Sequence, residues 1–274
     1  MKTNITVYRA LFGAGCLACA TLPALAGSDL ATEGARVNFQ PEEPTIEEAV
    51  NADNWFLSGW EGSFELGLTG ASGNNERFNF RAGAAASRED DKSADKVSLM
   101  YSYATDDSTQ TENRLAAEAR HDWKFADSPW RIYIGGRYEY DEFQDWDHRL
   151  SFGPGIGYQA IKNDRTDLLL RAGLIATKEF GGVDNAWTPE ADLGFDLEHK
   201  LTDRQKLTVI FDLYPSLKNT GEFRFIGDAG WTIELDPDAN LYLKIGVEDR
   251  YDSTPGPDKK KNDIAYYATI GWSF

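Results

Sequence analysis

From Trp60 to Phe274 the chain repeats one pattern: roughly ten to fourteen residues that alternate between apolar and polar, then a turn cluster. Alternation with period two puts successive side chains on opposite faces of a strand. One segment sets Leu115, Ala117, Ala119, His121, Trp123 and Phe125 against Arg114, Glu118, Arg120, Asp122 and Lys124. The next sets Trp130, Ile132, Ile134, Tyr138 and Tyr140 against Arg131, Arg137, Glu139 and Asp141. The last segment has Tyr266, Ala268, Ile270, Trp272 and Phe274 on one face and Tyr267, Thr269, Gly271 and Ser273 on the other. About twelve such segments can be counted.

A soluble sandwich also alternates, but its outer faces meet water and its inner faces pack together. Here the polar face is crowded with long side chains of both charges, as suits a wet lumen. The apolar faces carry aromatics at both ends. Tyr101, Tyr103, Tyr138, Tyr140, Trp146 and Tyr266 fall at one rim, and Trp123, Phe125, Trp130, Tyr158, Trp272 and Phe274 at the other. Two such belts are the interfacial girdles of a membrane barrel. The turns "ADSP", "KNDR", "LTDRQ" and "DPDAN" read as tight, with "REDDKSAD" longer. The alternate connections, such as "TDDSTQTE", "FGGVDNAW" and "STPGPDKKKND", read as long outer loops. The predicted fold is all-β: a transmembrane antiparallel up-and-down β-barrel of about twelve strands over residues 59–274.

The preceding residues follow other rules. Lys2 and Arg9 give a positive start, Ala10–Ala20 is a short apolar run, and Ala24-Leu25-Ala26 is an A-x-A site. Residues 1–26 are therefore expected to be a cleaved signal peptide, and the run is too short to span a bilayer as a helix. Both cysteines, Cys16 and Cys19, lie within it, so the mature chain has neither a disulfide nor a thiol nucleophile. Residues 27–58 are acidic and contain prolines, and read as a periplasmic segment, either a tail or a lumen plug. The formal charge of −17 argues against nucleic acid as a partner. Aromatics at 13% and 25 glycines, in a chain with mean hydropathy −0.50, fit a barrel whose lipid-facing and lumen-facing residues cancel on average.

Candidate chemistry is sparse. "GPGIGY" lacks the Lys-Ser/Thr pair and following helix of a phosphate loop, and its glycines share the inward parity of Arg149 and Ser151. His121, His148 and His199 take lipid-facing parity at separate places, which leaves a histidine-based enzyme without its base, so no enzymatic activity and no cofactor are expected. "DEFQDWD" brings Asp141, Glu142, Asp145 and Asp147 into one outer loop, where carboxylates could hold a divalent cation. The lumen is the most informative region. Arg81, Arg114, Arg120, Arg137 and Arg171 point inward from one set of strands, and Asp192, Asp196 and Asp228 from another. This arrangement predicts an Arg-rich wall facing a more acidic one. The charges either neutralise one another and plug the barrel or set a transverse field across an open pore.

Two stretches carry a family resemblance. "GWEGSFELGLTGASGNNERFNFRAGAAASRE", with Gly67, Ser72, Gly73, Asn74 and Asn79, and "RYEYDEFQDWDHRLSFGPGIGYQ", with Asp141, Phe143, Arg149, Gly153, Gly155, Gly157 and Tyr158, resemble the YdiY-like salt-induced outer-membrane proteins, domain of unknown function 481. The similarity runs over about residues 58–274. It implies an outer-membrane barrel surrounded by lipid and lipopolysaccharide, with a link to salt or osmotic stress, and it brings no catalytic residues. The aromatic last strand resembles the signal by which the barrel-assembly machinery recognises such proteins. The expected function is a narrow passive channel for small polar or charged solutes. The alternative is a non-conducting barrel that binds cations, lipopolysaccharide or a protein partner through acidic outer loops.

Overall fold

A computed structural model describes residues 59–73, 76–182, 185–257 and 259–274. The expected signal peptide and the acidic segment 27–58 lie outside the described residues.

Twelve strands form one antiparallel sheet: β1 (Glu61–Ala71), β2 (Arg77–Glu89), β3 (Ser93–Asp106), β4 (Thr109–Lys124), β5 (Trp130–Asp141), β6 (His148–Lys162), β7 (Thr166–Phe180), β8 (Thr188–Thr202), β9 (Gln205–Pro215), β10 (Phe223–Asp236), β11 (Leu241–Asp252) and β12 (Asn262–Ser273). Each pairs with its sequence neighbours, and β12 returns to β1, closing the barrel. Closure joins the two edge strands, which is how a sheet avoids open edges in lipid. The closing junction is the shortest in register. Ser63, Phe64, Glu65 and Leu66 pair with Ser273, Trp272, Gly271 and Ile270, whereas β1 pairs with β2 from Glu61 to Ala71.

The burial pattern is inverted relative to a soluble domain. Phe64, Leu66, Leu68, Leu174 and Ile270 are more than half exposed on the outer face, while Asp122 and Glu139 are fully buried inside. The outer face is thus the lipid surface and the interior is polar. Aromatics ring both ends as the alternation predicts. Trp130 and Tyr158 are 4.8 Å apart, centroid to centroid, at one rim, and Tyr140 and His148 are 5.4 Å apart at the other. The chain forms an outer-membrane-type transmembrane β-barrel.

Connections alternate between a short-turn end (90–92, 125–129, 163–165, 203–204, 237–240) and a long-loop end (72–76, 107–108, 142–147, 181–187, 216–222, 253–261). Two sequence expectations need correction. "REDDKSAD" is a tight turn, because Asp90 Oδ1 accepts from the amides of Lys92 and Ser93 at 2.7 Å each and closes the chain locally. "TDDSTQTE" is a two-residue hairpin, in which Asp107 and Ser108 take φ of 48° and 62°, the left-handed pair that matches strand twist.

Candidate functional site

The lumen-facing parity read from the sequence places arginines and carboxylates at successive heights, and closure brings opposite strands within contact. At the long-loop end Arg250 of β11 donates to Glu139 of β5 at 2.5 Å. In the strand order these two strands stand half a circuit apart. Arg137 also reaches Glu139, at 3.2 Å. Glu248 accepts from Arg114 at 2.5 Å and from Arg81 at 2.9 Å. Arg224 lies 2.9 Å from Glu190, with Ser151 and Thr177 alongside. Desolvated charges at such distances persist because each meets an opposite charge and further hydrogen bonds.

Trp146 covers this layer. The sequence parity assigned it to the outer aromatic belt, but it is 3% exposed, and its ring lies 4.2 Å from the Arg149 guanidinium. The reason is that Trp146 belongs to the connection 142–147, where strand alternation no longer dictates direction. Asp147 N bonds to Phe180 O at 2.9 Å, and across the barrel mouth Gln144 Nε2 donates to Asp263 of β12 at 3.4 Å. A cavity of about 30 Å³, lined in part by Trp146, Arg149, Arg224 and Arg250, lies beneath.

The acidic connection does not present the metal cluster that its spacing implied. Asp141 turns into the lumen, 3.5 Å from Arg250, while Glu142 accepts from Gln110 and Asn113 at 2.7 Å each. Asp145 and Asp147 lie against Gly256 and Gly181. Among the described residues no group of three acidic or histidine side chains is spaced to hold a metal ion.

Toward the short-turn end the lumen widens into a vestibule of about 930 Å³, reaching the turn residues Asp203, Arg204 and Asn240. Its floor is built on one row across four strands, β5 to β8. Tyr133 pairs with Gly155, Gly155 with Gly173, and Gly173 with Asp192. The two glycines leave a bed for the Tyr133 ring, whose hydroxyl donates to Asp192 Oδ2 at 2.6 Å. A Cβ at Gly155 would overlap the ring, and one at Gly173 would stand 2.7 Å from the hydroxyl. This explains why "GPGIGY" carries glycine at that height. Around the row, Asp196 meets Arg120 at 2.9 Å and Arg171 at 2.8 Å, Arg120 meets Asp122 at 3.0 Å, and Arg171 meets Asp212 at 2.7 Å.

All eight lumen residues named from the sequence point inward, but they do not form two opposed walls. Arg81 and Arg114 converge on Glu248, Arg120 and Arg171 on Asp196, and Arg137 on Glu118 and Glu139. Asp228 accepts from the Tyr267 hydroxyl at 2.8 Å. Sequence reasoning overlooked Glu248 and Arg250 on β11, Asp212 and Tyr214 on β9, and Tyr133. Their inward parity was available, but their partners depend on how the closed sheet staggers.

The three histidines lie on the outer face, each bonded locally: His121 to Asp95 at 2.6 Å, His148 to the Tyr138 hydroxyl at 2.8 Å and His199 to Thr166 at 2.8 Å.

No curated protein matches the chain significantly. Among solved structures the chain is similar to the translocator domain of the autotransporter NalP from Neisseria meningitidis, at 13% identity over 79% of this chain and 88% of that one, with a TM-score of 0.43. It is also similar to the KdgM porin (12% identity, 78% and 99% covered, TM-score 0.43) and to the NanC porin (10%, 77% and 97%, TM-score 0.44). The family described as protein of unknown function, DUF481, matches residues 64–274, and the chain belongs to that family.

Proposed function

We propose that this chain is an outer-membrane barrel, exported by a cleaved signal peptide, that passes small polar or charged solutes through a narrow lumen. The observation that carries this reading is the charge-lined vestibule of about 930 Å³, open at the short-turn end. A barrel serving only as an anchor has no need of a cavity of this size lined by charge. In the conformation described, the path narrows at the Arg250–Glu139 layer and ends under Trp146. Passage therefore requires Trp146 and its connection to move. The role in salt or osmotic stress implied by the family resemblance belongs to the same reading, as does engagement of the assembly machinery by β12.

A second reading is favoured by the Arg250–Glu139 contact, which crosses the whole lumen: a non-conducting barrel that binds cations, lipopolysaccharide or a protein partner through its outer loops. Single-channel recording of the refolded protein in a planar bilayer under a salt gradient separates the two. Stepwise conductance with a non-zero reversal potential is the result expected of the channel. A folded, inserted and silent protein, silent also after Trp146→Ala, overturns it in favour of the binding barrel.

A further inference from the structure

The arginines that dominate the lumen in the sequence are matched by carboxylates in the structure, and among the described residues one carboxylate at the vestibule floor is left without an ion-pair partner. Arg120 and Arg171 serve Asp122, Asp196 and Asp212. Lys96 approaches Asp196 at 3.4 Å, and Arg131 approaches Asp122 at 4.0 Å. Among the described residues Asp192 has no cation within ion-pair distance. It is 6% exposed, its Oδ2 accepts from Tyr133, and its Oδ1 is buried without a hydrogen-bond partner. Leaving a carboxylate oxygen in that state is costly, so the site suits a donor that the described residues do not supply.

The surroundings define the donor. Tyr214 of β9 and Asp192 both line the vestibule, and Gly173 opposite Asp192 adds no side chain. Asp212, on the same wall, is already held by Arg171 at 2.7 Å, which leaves Asp192 as the carboxylate without a cation. A bare metal ion finds no converging ligand set here. A positively charged group with N–H donors does, since one such group complements one carboxylate left without a cation.

We propose that the vestibule floor is a binding subsite for solutes carrying an ammonium group, with Asp192 as the anchoring carboxylate. The proposal rests on the reading of the vestibule as the solute path, and it reverses the anion preference that the arginine content suggests.

The test is calorimetric titration of the refolded full chain in detergent micelles with 1,4-diaminobutane and, as a probe of similar length and opposite charge, succinate. The diamine is expected to bind more tightly than succinate, and Asp192→Asn, which keeps the size and the Tyr133 contact, to weaken the diamine about tenfold. Succinate binding as well as the diamine, or diamine binding unchanged in Asp192→Asn, overturns the proposal. Should the variant fail to fold, the comparison on the wild-type chain decides alone. Binding in micelles does not depend on conduction. A silent bilayer with intact diamine binding removes the channel and keeps the subsite, and conduction without diamine preference does the reverse.

Discussion

Arg250 and Glu139 touch at 2.5 Å although their strands stand half a circuit apart in the barrel. The Glu139 side chain is 1% exposed and lies between Arg250 and Arg137. Replacing it by alanine leaves two buried guanidinium groups facing each other. Glu139→Ala is expected to lower unfolding stability by about 3–5 kcal/mol. Urea titration of the refolded barrel, followed by tryptophan fluorescence, measures it.

Trp146→Ala removes the ring that covers Arg149. The connection 142–147 keeps its backbone contacts to β7, so the barrel itself remains. Mean conductance is expected to rise severalfold over wild type in the planar-bilayer assay, with little change in unfolding midpoint.

Gly173→Val places a branched side chain against the Tyr133 hydroxyl and forces the ring off its bed. Overpacking of this kind costs about 1–3 kcal/mol. The loss should appear as a lower temperature for the heat-induced gel-mobility shift of the folded barrel. Tyr133→Phe keeps the ring but strips the buried Asp192 carboxylate of its hydrogen bond, and should lose a comparable amount, about 1–3 kcal/mol.

Asp90 gives the pH dependence of one short turn. The amides of Lys92 first, then Ser93, hold its carboxylate below the usual range. A depressed folded pKa contributes stability that is present above the unfolded value, near 4, and fades as pH falls through the folded value. Asp90→Ala is therefore expected to be less stable than wild type at pH 7. The gap should narrow as pH is lowered below about 4, measured as paired denaturation curves at several pH values.

The hairpin at Asp107 and Ser108 asks two non-glycine residues to adopt positive φ. Asn-Gly at these positions matches the same turn at lower cost, and the double substitution Asp107→Asn, Ser108→Gly is expected to raise stability by about 1 kcal/mol. An unchanged or lower urea midpoint would count against this turn geometry.

How much of this could be read in advance depends on what alternation encodes. Period two reports which face a residue takes, so the inward parity of Arg81, Arg120 and Asp196 and the outward parity of Phe64 and Trp123 were legible. It does not report which residues share a height around a closed sheet. The Arg114–Glu248 pair joins residues 134 positions apart and follows from closure and stagger alone. Parity also ends where strands end, which is why Trp146 in a connection was misplaced while Tyr140 on β5 was not. Turn length was misread at 107–108 because polar residues there extend the strands instead of looping out. The glycines of "GPGIGY" were legible as space in the lumen. That Tyr133, three strands along the sheet from Asp192, fills the space needed the register.

The junction of β1 with β12 holds four registered residue pairs at the short-turn end, from Ser63–Ser273 to Leu66–Ile270, next to Gly62 and Phe274, which exchange backbone hydrogen bonds at 2.9 Å. Every other junction in the barrel is registered over a longer run. The wall is therefore anisotropic in its resistance to shear: a force that slides two strands apart meets the fewest hydrogen bonds there. In amide exchange, protection along β12 should differ between its two edges, with the groups facing β11 the slower to exchange. Mechanical unfolding should begin by peeling at this junction, so that the cylinder unrolls as a sheet before any single hairpin comes undone.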